Sequence, residues 1–367
     1  MTFAPHIRQP GQSDSLAVLG GRLCTDLVDV TTDLGALDSE GFWAVVLPFE
    51  GEPTCARFAS IRDAKPWPGS PWSGPPSGEW SSSLDQVSFV KGVETIRDEI
   101  ANGDVYQVNL TRRLQAEMPT QTSGEACLQA AFGKAGLTQS GSQDIAALGA
   151  ALALGNPAPF SAVVRLAAHG VQVASASPER FLSRSGHRIW SSPIKGTAAT
   201  ADGFLAKDRA ENIMIVDLVR NDLGRVCEWG SVKVPSLLKV EQHPGLFHLV
   251  STVEGRLRPG LGWTEAIEAT FPPGSVTGAP KQAALESIAR LEPGSRGIYC
   301  GAVGWVDADR VLGDLNVAIR TFWIEQGFLH FGTGGAITYD SDPIGEWQET
   351  ELKARHLLQI AGGRSAQ

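Results

Sequence analysis

The stretch VVRLAAHGVQVASASPERFLSRSGHRIWSSPIKGT (163–197) restricts the possible folds more than any other part of the 367-residue chain. Its short apolar and β-branched runs break at His169-Gly170 and Ser185-Gly186, so it reads as strands joined by tight turns, an antiparallel meander. Further strand runs stand at FWAVVLPF (42–49), CARFASI (55–61), VYQVNLTRRL (105–114), AVGWVD, DLNVAIRTFWI and FLHFGTGG. Phe89, Val90, Val93, Ile96 and Ile100 fall at helical spacing, with Asn102-Gly103 as the stop. DRAENIMIVDLVRND (208–222) is a second helix, and others start near Pro280 and Pro343. Strands punctuated by helices, without βαβ alternation, imply an α+β fold of antiparallel sheets covered by helices. The Pro-, Gly-, Ser- and Trp-rich stretch 62–83 cannot be a regular element. It sets off an N-terminal portion (1–86) from a main module (87–362).

A formal charge of −9 argues against nucleic acid or an anionic membrane as the main partner. An acidic chain that binds an anion must gather positive charge locally, from arginine, lysine, helix N-termini or a metal. The cysteines (24, 55, 127, 227 and 300) are scattered and odd in number, which fits reduced thiols and neither a disulfide framework nor a zinc site. The most apolar run, IAALGAALALG (145–155), is too short to span a bilayer, and the N-terminus lacks an apolar signal core. A soluble, cytoplasmic protein is expected.

Several groups could carry chemistry. Asp208 and Glu211 lie one turn apart on one helix, and Glu346 and Glu349 repeat that spacing on another. Each pair alone is an ordinary solvated face, and Glu349 has Lys353 at i+4. If the pairs converge, they form an all-oxygen site suited to Mg²⁺. FPPGSVTGAPK (271–281) sets Ser275, Thr277 and glycines before a helix with Lys281 in its first turn. That is either an anion cradle or a capped helix behind a loop. Arg320 in a strand and Gly334-Gly335 in a loop pair a cation with exposed amides. Glu179 and His248 are polar groups beside apolar strands. Lys195 is a flexible cation between a buried-looking Pro193-Ile194 and a tight Gly196-Thr197 turn.

Taken in order, DVYQVNLTRRL, SASPERFL, SPIKGT, KDRAENIMIVDLVRNDLGRV, GSVKVPSLLKVEQHPGLFHLVSTVEG, TFPPGSVTGAPK, YCGAVGW, IRT, GTGGAIT and SDPIGEWQETELKAR cover nearly all of 90–360. They resemble the chorismate-utilising enzymes, and most closely their aminodeoxychorismate-forming branch. The resemblance implies two large facing antiparallel sheets with helices outside. It also implies Mg²⁺ held by Glu211 and Glu349, with Asp208 and Glu346 beside them. Glu179 matches a general acid for the leaving C4 hydroxyl, and His248 a histidine near the ring. Gly196, Thr197, Ser275, Thr277, Tyr299, Arg320, Gly334 and Gly335 match substrate-binding positions. Water-adding relatives carry a lysine base where this chain has Gln107. Anthranilate-forming relatives carry alanine where it has Lys195. In the branch with lysine there, the amine attacks C2 as hydroxide leaves C4, and ammonia then enters C4 and expels the lysine. With no glutaminase nucleophile turn visible, the resemblance implies a separate glutamine amidotransferase partner. The competing expectations are an anthranilate synthase component and a non-catalytic subunit of the same fold.

Overall fold

The computed structural model describes residues 15–76, 78–119, 142–198, 200–243 and 246–362. In chain order the strands are β1 (Leu16–Leu19), β2 (Arg22–Thr31), β3 (Phe42–Leu47), β4 (Thr54–Asp63), β5 (Ser81–Ser82), β6 (Gln107–Glu117), β7 (Phe160–Leu166), β8 (Val171–Ser177) and β9 (Arg180–Ser185). They continue as β10 (Arg188–Ser192), β11 (Ile194–Ala198), β12 (Lys233–His243), β13 (Leu246–Arg256), β14 (Gly278–Ala279), β15 (Ala302–Asp307), β16 (Leu312–Val317), β17 (Thr321–Glu325) and β18 (Phe328–Ile337). The helices are α1 (Gln86–Asn102), α2 (Ile145–Gly155), α3 (Ala206–Gly224), α4 (Trp263–Thr270), α5 (Lys281–Leu291) and α6 (Pro343–Ala361).

Every strand pairing is antiparallel. One half of the ladder runs β5–β6–β18–β17–β8–β7, and the other β15–β16–β9–β10–β13–β12, with β11 also on β13. The N-terminal strands join the halves: β1 lies beside β7, β3 beside β15, and β2 and β4 between them. Residue 86 is therefore not a break in the sheet. An open sheet this wide has to curl or fold over. It folds where Asn316 Nδ2 of β16 donates to the Phe160 carbonyl of β7 at 2.7 Å, so the two halves face each other. α2 packs on β7 and β8, α5 on β6, α6 on β18 and α3 on β11–β13. Ile215, Val216, Val219 and Leu223 of α3 enter the largest core with β3 and β15. Burying such a side chain stabilises by about 1.5–3 kcal/mol. That burial fixes the helix that carries Asp208 and Glu211.

Two strand expectations need correcting. The meander is interrupted, because β8 pairs with β7 and β17 whereas β9 pairs with β10 and β16. The chain crosses between halves at Ser177-Pro178-Glu179, where Pro178 offers no N–H to continue a ladder. The expected strand DLNVAIRTFWI is likewise two strands, with a return crossing at 318–320 and Arg320 in the left-handed region at φ 50°. The crossings are tied together. Ser177 Oγ donates to the Val317 carbonyl at 2.6 Å, the Val317 amide to the Glu179 carbonyl at 3.0 Å, and the Ala176 amide to the Arg320 carbonyl at 3.0 Å.

The 64–76 connection has no helix and only an isolated bridge at Trp72, yet it is pinned. Trp72 is buried, and its Nε1 donates to the Ala361 carbonyl at 2.8 Å. Cys24, Cys55, Cys227 and Cys300 are buried free thiols, and Cys127 lies outside the described residues. Among the described residues no helix is long and apolar enough to cross a membrane.

Candidate active site

The site begins at the β11 bulge. Lys195 faces Leu249 in the ladder and Thr197 faces His248, with a register shift at Gly196. Gly196 has φ +77°, and a Cβ there would lie 2.9 Å from Asp208 Cβ and 3.1 Å from Phe204 Cδ1. Only glycine lets the start of α3 approach β11 this closely. The bulge also turns the Gly196 carbonyl to within 3.4 Å of His248 Nδ1. His248 is buried, on the strand that pairs with β11. The substrate role expected of the Thr197 side chain lies outside the described residues.

Lys195 is partly exposed, and among the described residues no hydrogen bond or ion pair holds its ammonium. Burial pulls its pKa below the ordinary lysine range, against the opposing pull of Glu211 and Glu179. Glu179, at the first crossing, is buried, and burial pushes its carboxyl up to about 7. The Ser275 hydroxyl, the charge of Lys195 and the Ile194 amide work the other way. A desolvated amine and a carboxyl near neutrality therefore share one electrostatic neighbourhood, which suits nucleophilic attack coupled to proton transfer. Glu179 and Ser275 also line a cavity with Ser191, Asp222, Thr270 and Val317.

Arg320, at the second crossing, has its guanidinium mostly buried. Burial lowers its pKa, and no neighbouring charge offsets that cost. Among the described residues no carboxylate or hydrogen-bond acceptor meets this side chain. A desolvated guanidinium without a protein partner is a site for an anion from outside.

The expected carboxylates converge, but not as a bare cluster. Lys207 Nζ stands 3.7 Å from Glu211 Oε1 and 3.5 Å from Glu346 Oε1, which brings α3 and α6 together. Glu346 is buried and accepts from Ser341 Oγ at 2.6 Å. Lys353 Nζ lies 2.6 Å from Glu349 Oε1 and donates to the Gly334 carbonyl at 3.0 Å. Burial disfavours the charge of Glu211 and raises its pKa, opposed by Lys195 and Lys207. Burial also disfavours the charge of Glu349, but Lys353, Lys207 and Lys195 outweigh it and lower its pKa. Among the described residues no three ligating side chains already form a metal cage. The donors are nevertheless all oxygen, and an ammonium occupies the gap between two of them. Oxygen donors of this kind suit a hard cation, and the gap they flank lies between Glu211 and Glu346, with Glu349 paired to Lys353. Asp208 caps α3, its Oδ2 accepting from the Leu205 amide at 2.8 Å.

Other expectations are corrected by local packing. Thr277 Oγ1 donates to the Pro273 carbonyl at 3.1 Å and so closes its own turn. Lys281 Nζ is held by Asp222 at 2.6 Å and the Thr270 carbonyl at 3.0 Å, so it is not available to an anion. Gly334 and Gly335 lie in β18 opposite Thr111 and Leu110, not in a loop. A Cβ on Gly335 would meet Glu346 Oε2 at 3.0 Å. The Tyr299 ring packs on Gly332 and lines a separate cavity with Thr111, Glu292 and Arg296. Gln107 is fully buried, with its Oε1 unpaired. Lys207 and Lys353 were not anticipated as site residues. The signal was the i,i+4 spacing of each to a site glutamate.

This fold and this gathering of charge define a known class. Residues 54–130 and 135–359 match the chorismate binding enzyme family, and the chain belongs to it. Its relatives include aminodeoxychorismate synthase component 1 of Salmonella typhimurium, 39% identical over 291 residues, which are 76% of this chain and 58% of that protein. Anthranilate synthase component 1 of Streptomyces coelicolor is 36% identical over 291 residues, covering 76% and 52%. The chain thus spans little more than half the length of these relatives. Among solved structures, anthranilate synthase component I from Streptococcus pneumoniae matches with a TM-score of 0.71 at 24% identity, over 97% of this chain and 95% of that one. A 2,3-dihydroxybenzoate-specific isochorismate synthase from Bacillus anthracis matches at 0.73 and 22% identity, over 96% and 97%. These two structures share the fold but differ in the reaction named, so fold alone does not select a product.

Proposed function

We propose that this chain converts chorismate and ammonia to 4-amino-4-deoxychorismate, for p-aminobenzoate and folate synthesis. The observation that carries this reading is Lys195, an amine with its pKa depressed by burial, set within the electrostatic reach of a carboxyl at about 7. Neutral Lys195 Nζ attacks C2 and forms a C–N bond while the two conjugated ring double bonds shift toward C4 and the C4–O bond breaks. Protonated Glu179 gives its proton to the C4 hydroxyl, which leaves as water. Ammonia then attacks C4, both double bonds shift back, and the C2–N bond breaks to return the amine. Glu179, now a carboxylate, takes up the proton released from the incoming nitrogen.

Arg320 anchors a substrate carboxylate. Mg²⁺, held by Glu211, Glu346 and Glu349, supplies charge neutralisation for the other when bound. A glutamine amidotransferase subunit supplies ammonia in the cell, which is located in the cytoplasm on this reading. The reaction is tested by incubating the chain with chorismate, Mg²⁺ and ammonium and identifying the product by mass spectrometry. Aminodeoxychorismate is expected. Anthranilate or salicylate as sole product overturns the reading, and no turnover favours a non-catalytic subunit.

A further inference from the structure

Lys207 is out of place as a helix residue. It is the second residue of α3, at the end where the helix dipole disfavours a cation. It also precedes Glu211 by four positions, the weaker order for a helical ion pair. Its ammonium nonetheless leaves the helix surface and lies between carboxylates from two helices, 3.7 Å from Glu211 and 3.5 Å from Glu346. The Glu346 carboxylate is almost fully enclosed, at 7% side-chain exposure, while the lysine side chain is 42% exposed. One partner is fixed and the other has a free path outward along a flexible stem.

We propose that Lys207 is a built-in counter-ion that occupies the divalent cation's place, so that the lysine and the metal exclude one another between Glu211 and Glu346. This rests on the reading that Glu211, Glu346 and Glu349 hold Mg²⁺. Without metal, the ammonium keeps two converging carboxylates from repelling α3 and α6 apart. With metal, it swings to solvent. Because each occupant disfavours the other, the lysine lowers the affinity for Mg²⁺ and makes the ion exchangeable. Lys353 differs in that its Nζ pairs with a carboxylate of its own helix, Glu349, and is anchored on the Gly334 carbonyl, so it does not bridge α3 and α6.

The test titrates Mg²⁺ alone, without chorismate, into metal-free wild type, Lys207→Gln and Lys207→Arg by calorimetry, alongside melting curves in chelator and in saturating Mg²⁺. Lys207→Gln is expected to bind Mg²⁺ at least about fivefold more tightly. It should melt below wild type in chelator and level with it in saturating Mg²⁺. Lys207→Arg, which keeps the charge, should retain the wild-type affinity. Equal or weaker binding by folded Lys207→Gln overturns the counter-ion role and leaves the metal site standing. A wild type that binds no Mg²⁺ at millimolar concentration overturns the metal reading and this inference with it.

Discussion

Two arginines show how charge is used differently in different parts of this molecule. Arg296 is 3% exposed and fully partnered. Its Nε and Nη2 donate to Glu292 at 2.8 and 2.7 Å, Nη1 to the Val276 carbonyl at 2.8 Å and Nη2 to the Asn109 carbonyl at 2.9 Å. Burial opposes its charge, but Glu292 outweighs that cost and the pKa rises. Arg320 is also desolvated but has no such partner among the described residues, and its pKa falls. The first arginine clamps β6 to the 274–276 turn and so holds Ser275 against Glu179. The second is left for a ligand. Lys195 belongs with the second: its ammonium is desolvated and has no hydrogen-bond or ion-pair partner among the described residues.

The comparison can be broken at several points. Lys195→Ala should have the largest effect, cutting C4 amination by at least about a thousandfold and shifting residual product toward C2. The product ratio by chromatography checks this, and unchanged aminodeoxychorismate formation removes the nucleophile role. Arg296→Met should cost about 3–5 kcal/mol by chemical denaturation, because Glu292 keeps its Thr111 hydrogen bonds but is left enclosed without its counter-charge. A cost below about 1 kcal/mol would erase the distinction between frame and site.

Glu179 tests the same contrast through pH. Its pKa rises from an ordinary 4.5 to about 7 on folding, so wild type loses up to about 3 kcal/mol as pH rises through that window. Below 4.5 the carboxyl is neutral in both states and nothing is lost. Glu179→Gln should therefore match wild type at pH 4, exceed it in stability at pH 8, and lose turnover. Arg320→Met should raise the chorismate KM about 100-fold with stability equal or higher, since an unpaired buried charge is removed. A large loss of stability would place Arg320 in the frame. Glu349→Gln should weaken Mg²⁺ only severalfold, because half of that side chain is exposed to solvent. An unaltered titration returns Glu349 to an ordinary ion pair with Lys353.

The strands, most helix ends and the two carboxylate pairs were legible in the sequence, because apolar periodicity and i,i+3 spacing are local properties, whereas Lys195 and Glu179 were joined to one site only through the family resemblance. The sequence could not show that β8 and β9 lie in different halves, since a Ser-Pro step looks the same in a hairpin and in a crossing. Nor could it show which hydroxyls and carboxylates are already engaged. Thr277 and Asp208 have the right chemistry for a site, but their partners, Pro273 and Leu205, are backbone groups that any sequence would offer. Arg296 was missed because its significance lies in Glu292 and two carbonyls that meet only in the folded chain.

The paired crossings have a mechanical consequence. Glu179 and Arg320 sit at two neighbouring crossings laced to one another by main-chain bonds through Val317 and Ala176. A hinge motion that spread the two sheet halves would carry both residues together as one rigid strut. Glu179 and Arg320 thus keep a fixed spacing, while Lys195, on β11, and the glutamates of α3 and α6 ride on separate parts. Closure around a ligand would then be read in the distance from Lys195 to this strut, a separation that paired spin labels on β11 and β17 could follow.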